Sequence, residues 1–176
     1  GVAPRARLFF LPTRVSPAVN PLVADDYLQE TAALTNSVLL RRRNAPMISQ
    51  NSWAYISVNE YDSPAASFDA ATRDALPQMT NSQPILFVFA AGNLGAGSDT
   101  GLNGDANSVS SPATAKNIIT VGAIEQLRSI TNVVVTNANG TLATNSIFYG
   151  QTDSDNQVAA FSSRGNVGIS VEGQFG

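Results

Sequence analysis

A carboxamide, Asn93, closes the stretch Ile85-Leu86-Phe87-Val88-Phe89-Ala90-Ala91-Gly92. An amide held at the end of a buried strand can aim its N–H at an oxygen that gains negative charge during acyl transfer, and it needs little reorganisation when that charge develops. Asn also turns a chain well, because it tolerates left-handed backbone and hydrogen-bonds locally. The local residues leave both roles open. Other chemistry is restricted. The chain has no histidine and no cysteine. It therefore lacks the commonest general base, a thiol nucleophile, a thiolate zinc site and any disulfide framework. No serine stands in a GxSxG elbow, so these residues alone cannot assemble a Ser-His-Asp triad. Gly92, Gly95 and Gly97 follow a strand, but they read GxxGxG rather than the GxGxxG of a dinucleotide cradle, and no helical stripe comes after them. Asp99, Asn103, Asp105 and Asn107, and again Asp153, Asp155 and Asn156, offer hard oxygens at short spacing. No glutamate closes a 12-residue calcium loop. Calcium is thus the one cofactor left open, against the plainer reading of solvated loop carboxylates.

These residues need a scaffold. The apolar run from Ile85, bounded by Pro84 and Gly92, reads as a strand buried on both faces, as in parallel sheets covered by helices. Ligands of such sheets bind at the carboxyl ends of the strands, where Asn93 falls. Upstream, Ala6 to Leu11 reads as a strand. Asn20-Pro21 then caps an amphipathic helix over Leu22 to Arg42, with Asp25 and Asp26 early and Arg41-Arg42-Arg43 at its end, as the helix dipole favours. Pro46 to Ser49 is a short strand running into Gln50-Asn51-Ser52-Trp53-Ala54. Ser67 to Leu76 is a second helix, limited by Pro77. Downstream, Asn117 to Ala123 is another buried strand. Asn139-Gly140 between Thr131–Thr136 and Thr141–Ser146 signals a hairpin, and Gln157 to Phe161 is a last strand. Residues 92–107 form a loop. Strand, helix, strand, helix, strand implies right-handed βαβ units: an α/β fold with helices on both faces of a mostly parallel sheet.

The 176 residues amount to one domain, and 43% of them are hydrophobic, enough for a core. A net charge of −3 argues against a nucleic-acid partner, which needs a basic footprint. No apolar run reaches the roughly 20 residues of a membrane span, and no signal peptide opens the chain. The start at Gly1-Val2-Ala3-Pro4, without methionine, points to a piece of something longer.

Five segments, in order, resemble the subtilisin-like serine proteases (subtilases). Gly1-Val2-Ala3-Pro4-Arg5-Ala6-Arg7-Leu8 is similar to the GVAP-x-A-x-L segment that follows the catalytic-histidine helix of that family. Asn51-Ser52-Trp53-Ala54 resembles its substrate-binding segment, with alanine where glycine is usual. Ala90-Ala91-Gly92-Asn93 matches AAGN, whose Asn is the oxyanion-hole donor. Ser111 to Asn117 and Ile119 to Ala123 resemble SPA-x-AKN-x-ITVGA, and Phe161-Ser162-Ser163-Arg164-Gly165 matches FSS-x-G. The resemblance covers nearly the whole chain. It implies a three-layer αβα, subtilisin-like fold, incomplete here, lying between the catalytic His and Ser motifs, with residues 131–146 a hairpin insertion. It implies a secreted serine endopeptidase as the parent protein, acting through an acyl-enzyme and inert as this piece. Asn93 would be the catalytic donor. Ser52, Trp53, Ala54, Ala90, Ala91 and Gly92 would bind substrate, an extended peptide or protein segment paired as an added strand, with no metal assigned. Missing flanks would leave apolar faces open to self-association. The alternative is a catalytically dead, subtilase-derived binding or scaffold domain. A nucleotide-binding α/β domain is a third reading.

Overall fold

Helix α1 (Ser63–Arg73) begins where three local features agree. Asp62 is its N-cap, and the side chain accepts the Ala65 amide at 3.0 Å. Proline occupies the first turn, where no intrahelical N–H is needed. Ala65, Phe68 and Ala71 then recur on one buried face. The helix starts four residues before the expected Ser67, because the Asp62-Ser63-Pro64 cap outweighs the weak apolar pattern that follows it. It ends before Leu76. Asp74 turns extended, and its carboxylate accepts Leu76 N at 3.3 Å and Gln83 N at 3.2 Å, which draws the chain away.

The computed structural model describes residues 48–78, 80–131, 136–138, 141–143 and 148–165. The expected strand at 6–11, the expected helix at 22–42 with its three arginines, and the Gly1–Leu8 segment lie outside the described residues. Strand β1 (Ile48–Asn51) pairs in parallel with β2 (Leu86–Ala90), with Ile48 opposite Leu86 and Asn51 opposite Phe89. β3 (Ile119–Val121) lies on the other side of β2, giving the sheet order β1-β2-β3. With α1 packed on β2, this is the parallel-sheet α/β architecture read from the sequence.

β2 is not buried on both faces. Phe87 and Phe89 are 2% and 0% exposed, whereas Leu86, on the opposite face, is 36% exposed. Only the phenylalanine face meets α1. There Phe68 lies edge-on to Phe87 at 5.0 Å and to Phe89 at 4.9 Å. Burying a Phe contributes about 1.5–3 kcal/mol, and each aromatic pair adds about 0.5–1.5 kcal/mol. This cluster is therefore what holds α1 on the sheet. β3 also differs from expectation. Ile119 and Val121 are about half exposed, so the strand within NIITVGA is short and lies at the surface despite its apolar composition.

Contacts divide the chain into two compact units. The first contains described residues 48–78, 80–90 and 110–120 and the aromatic core. The second contains 91–109, 121–131, 136–138, 141–143 and 148–165. In the second, β4 (Thr136–Ala138) and β5 (Thr141–Ala143) pair antiparallel with Ala138 opposite Thr141; the expected Asn139-Gly140 turn itself lies outside the described residues. The expected strand at Gln157–Phe161 is reduced to one antiparallel bridge, Val158 to Ile124. Two of its carbonyls are used by the glycine loop, with Gly95 N donating to Phe161 O and Gly97 N to Ala160 O. Among the described residues no helix is long and apolar enough to cross a membrane.

Candidate active site

In the first unit, the segment after β1 is held by its own side chains. Ser52 is exposed, and its hydroxyl accepts from Gln50 Nε2 at 2.8 Å. The indole N–H of Trp53 donates to Asn51 Oδ1 at 3.2 Å. Its ring packs edge-on against Phe89 at 5.4 Å and Tyr55 at 5.6 Å. The Trp53 side chain therefore anchors the segment to the core, and what it can offer a ligand is backbone. Ala54 and Ala90 are half-buried. Tyr55 N donates to Ser111 O, and Ser111 N to Val58 O. The Ser111 hydroxyl donates to the cap carboxylate of Asp62 at 2.6 Å. The Ser-Pro-Ala turn thus fixes the same segment from its far side.

Asp69 of α1 is a second organiser of this unit. It is 7% exposed and accepts Tyr61 OH at 2.9 Å, Lys116 N at 3.1 Å and Asn117 N at 2.6 Å. Burial, then the neighbouring Asp69 carboxylate, pushes the Tyr61 phenol up, so it remains a donor. The Lys116 ammonium lies 4.7 Å from the Tyr61 ring centroid. The Lys-Asn pair is therefore structural, tying the turn to the helix.

In the second unit, Ala91 is buried and Gly92 has φ +104°, a backbone that only glycine adopts without strain. A Cβ at Gly92 would also meet Ser163 Oγ at 2.9 Å. Asn93 follows directly. It is exposed, and among the described residues its side chain has no hydrogen-bond partner. The backbone on either side of it is fixed, with Ser163 N donating to Gly92 O at 3.0 Å and Leu94 N donating to Ser163 Oγ at 3.1 Å. An amide on a pinned backbone with its own donors unspent is what stabilising an oxyanion requires.

Ser162 and Ser163 are buried. The Ser162 hydroxyl accepts Ala123 N at 3.0 Å, so the two serines bind the ends of two different segments. Local patterning ranked neither serine as a site residue, because their partners are remote in sequence. Only their place in FSS-x-G pointed to them. Among the described residues no group of three or more His, Cys, Asp or Glu side chains is placed to hold a metal ion. Glu125 is itself buried. Burial, then Asp153 and Asp99, pushes its carboxyl up.

A three-stranded sheet with parallel β1–β2 pairing, a helix packed on its central strand and a glycine-rich loop following that strand in the chain define the class: an α/β protein. The family model described as the Subtilase family, peptidase S8, matches residues 1–175, and the chain belongs to that family. No individually curated protein matches the chain.

Proposed function

We propose that this chain is the middle portion of the catalytic domain of a secreted serine endopeptidase that cleaves peptide bonds through an acyl-enzyme. Membership of the subtilase family over residues 1–175 supports serine-protease chemistry in the parent protein. The observation that carries the assignment of a residue is Asn93: exposed, without a side-chain hydrogen bond among the described residues, three residues past the end of β2. As the acyl carbon becomes tetrahedral, its carbonyl oxygen gains charge, and the Asn93 amide donates to that oxygen rather than to the ground-state carbonyl. This differential interaction lowers the barrier. The Ser52–Ala54 backbone offers hydrogen bonds to an extended peptide, and Ala90, Ala91 and Gly92 contribute to the primary specificity pocket. The alanine at 54 adds a methyl group where the family usually has glycine, which narrows the room for substrate there. Residues 131–146 are an insertion carrying the β4–β5 hairpin.

With no histidine, these 176 residues alone are inert. Incubated with a peptide substrate and an activated serine reagent, the chain gives neither turnover nor labelling; either would refute inertness. In the intact protease, Asn93→Ala lowers kcat by about 10²–10³ and leaves KM little changed, a magnitude borrowed from loss of the corresponding donor in another subtilase. Equal kcat in variant and parent removes Asn93 from the mechanism.

A further inference from the structure

We propose that Ser163 and Arg164 are positioning residues for Asn93, Ser163 pinning the backbone on both sides of it and Arg164 holding the loop that leaves it. The inference rests on the reading of Asn93 as the oxyanion donor.

Among the described residues the Asn93 side chain has no hydrogen-bond partner, so its direction depends on its backbone. That backbone is held from outside, through Gly92 O and Leu94 N, by the amide and hydroxyl of Ser163. Ser163 is 7% exposed, so water is a poor substitute for it. Residues 94–105 contain neither helix nor strand. They carry positive φ at Ala96, Gly101, Asn103 and Gly104, and such a loop needs an external frame to hold one shape. Arg164 supplies it. Its Nε donates to Asn103 O at 3.3 Å, and its Nη1 donates to Ala159 O at 3.2 Å and Ser162 O at 2.5 Å. Its backbone completes the frame. Arg164 N donates to Ser108 Oγ at 2.7 Å, and Ser108 N donates to Arg164 O at 3.0 Å.

The loop is shaped around this guanidinium. A Cβ at Gly97 would collide with Arg164 Nη2, and one at Gly104 would stand 3.2 Å from Nε. Among the described residues no carboxylate pairs with Arg164, and its side chain donates only to backbone carbonyls. A planar fork of fixed donors can reach the loop and the 159–162 segment at once, which an ammonium on a flexible stem cannot. The arginine joins two backbones and does not neutralise a charge.

The test has two parts. In the 176-residue chain, hydrogen exchange is read at the amides of residues 94–105 in Arg164→Ala, Arg164→Lys and Ser163→Ala. In the intact protease, kcat and KM are measured for the same variants, alone and combined with Asn93→Ala, each normalised to active enzyme by burst titration. Expected are exchange about tenfold faster in Arg164→Ala, and kcat about 10–100-fold lower with KM within about twofold. Arg164→Lys restores part of the loss. With Asn93→Ala already present, Arg164→Ala costs less than about twofold more, because residues acting through one group are not additive. A merely structural role would lower kcat by the same factor in both backgrounds, and that result overturns the proposal. So does unchanged exchange at 94–105. A silent Asn93→Ala sinks the oxyanion reading instead, and is recognisable because neither positioning residue is altered in it.

Discussion

Replacing Asp69 by alanine tests how α1 and the Ser111–Asn117 turn are joined. The carboxylate is 7% exposed and accepts three hydrogen bonds, from Tyr61 OH, Lys116 N and Asn117 N. A hydrogen bond to a charged group has a net worth of about 1.5–3 kcal/mol, so simple addition gives about 4.5–9 kcal/mol. That sum is too large here. Lys116 and Asn117 are exposed, and water recovers part of what their amides lose. The expected cost is therefore about 3 kcal/mol, a large share of the 5–15 kcal/mol that holds a typical domain. At roughly 2–4 °C per kcal/mol for a chain of this size, the melting temperature falls by about 6–12 °C. Tyr61→Phe removes one donor and leaves the carboxylate in place, so it costs about 1 kcal/mol. Asp69→Asn keeps one acceptor oxygen and falls between the two. Urea unfolding of the 176-residue chain, followed by circular dichroism, reads all three variants. An Asp69→Ala chain that loses less than about 1 kcal/mol, or a Tyr61→Phe chain that loses as much as Asp69→Ala, refutes the reasoning.

Two more perturbations follow from the second unit. The folded protein holds the Glu125 proton more tightly than the unfolded chain does, because burial, then Asp153 and Asp99, raises its pKa above the ordinary 4.5. The associated stability is fully present below that ordinary value and is lost as pH rises through the folded value. Glu125→Gln therefore melts higher than the parent near neutral pH, with the gap closing toward about pH 4; a gap that widens on acidification contradicts this. Gly95→Ala drives a Cβ into the Ser162 carbonyl oxygen. Backbone cannot rotate aside as a side chain can, so a loss of more than about 2 kcal/mol is expected in denaturant unfolding, and a neutral substitution would show that the loop lies elsewhere.

The parallel sheet was legible because the Ile85–Ala90 run is long, apolar and bounded by proline and glycine. The antiparallel pairing of β4 with β5 was legible because β-branched runs stand on either side of an Asn-Gly signal. What failed was the reading of composition as burial. Ile119 and Val121 belong to an apolar stretch yet are half exposed, and Leu86 lies on the less covered face of β2. The start of α1 lies at the Asp62-Ser63-Pro64 cap, four residues ahead of where the apolar pattern alone places it. Asn93 could be picked out by its place at a strand end. Ser163 could not be, because Leu94 and Ser163 are 69 residues apart and no local period records that pairing. Asp69 was hidden in the same way, since the amides it accepts lie 47 and 48 residues on.

Trp53 is the only tryptophan in the chain, and it packs against Phe89, Tyr55 and Phe68. Indole fluorescence is thus a reporter confined to the aromatic core beneath β2. The loop that carries Asn93 has no such dye, so an emission spectrum that looks native says nothing about whether that loop has kept its shape.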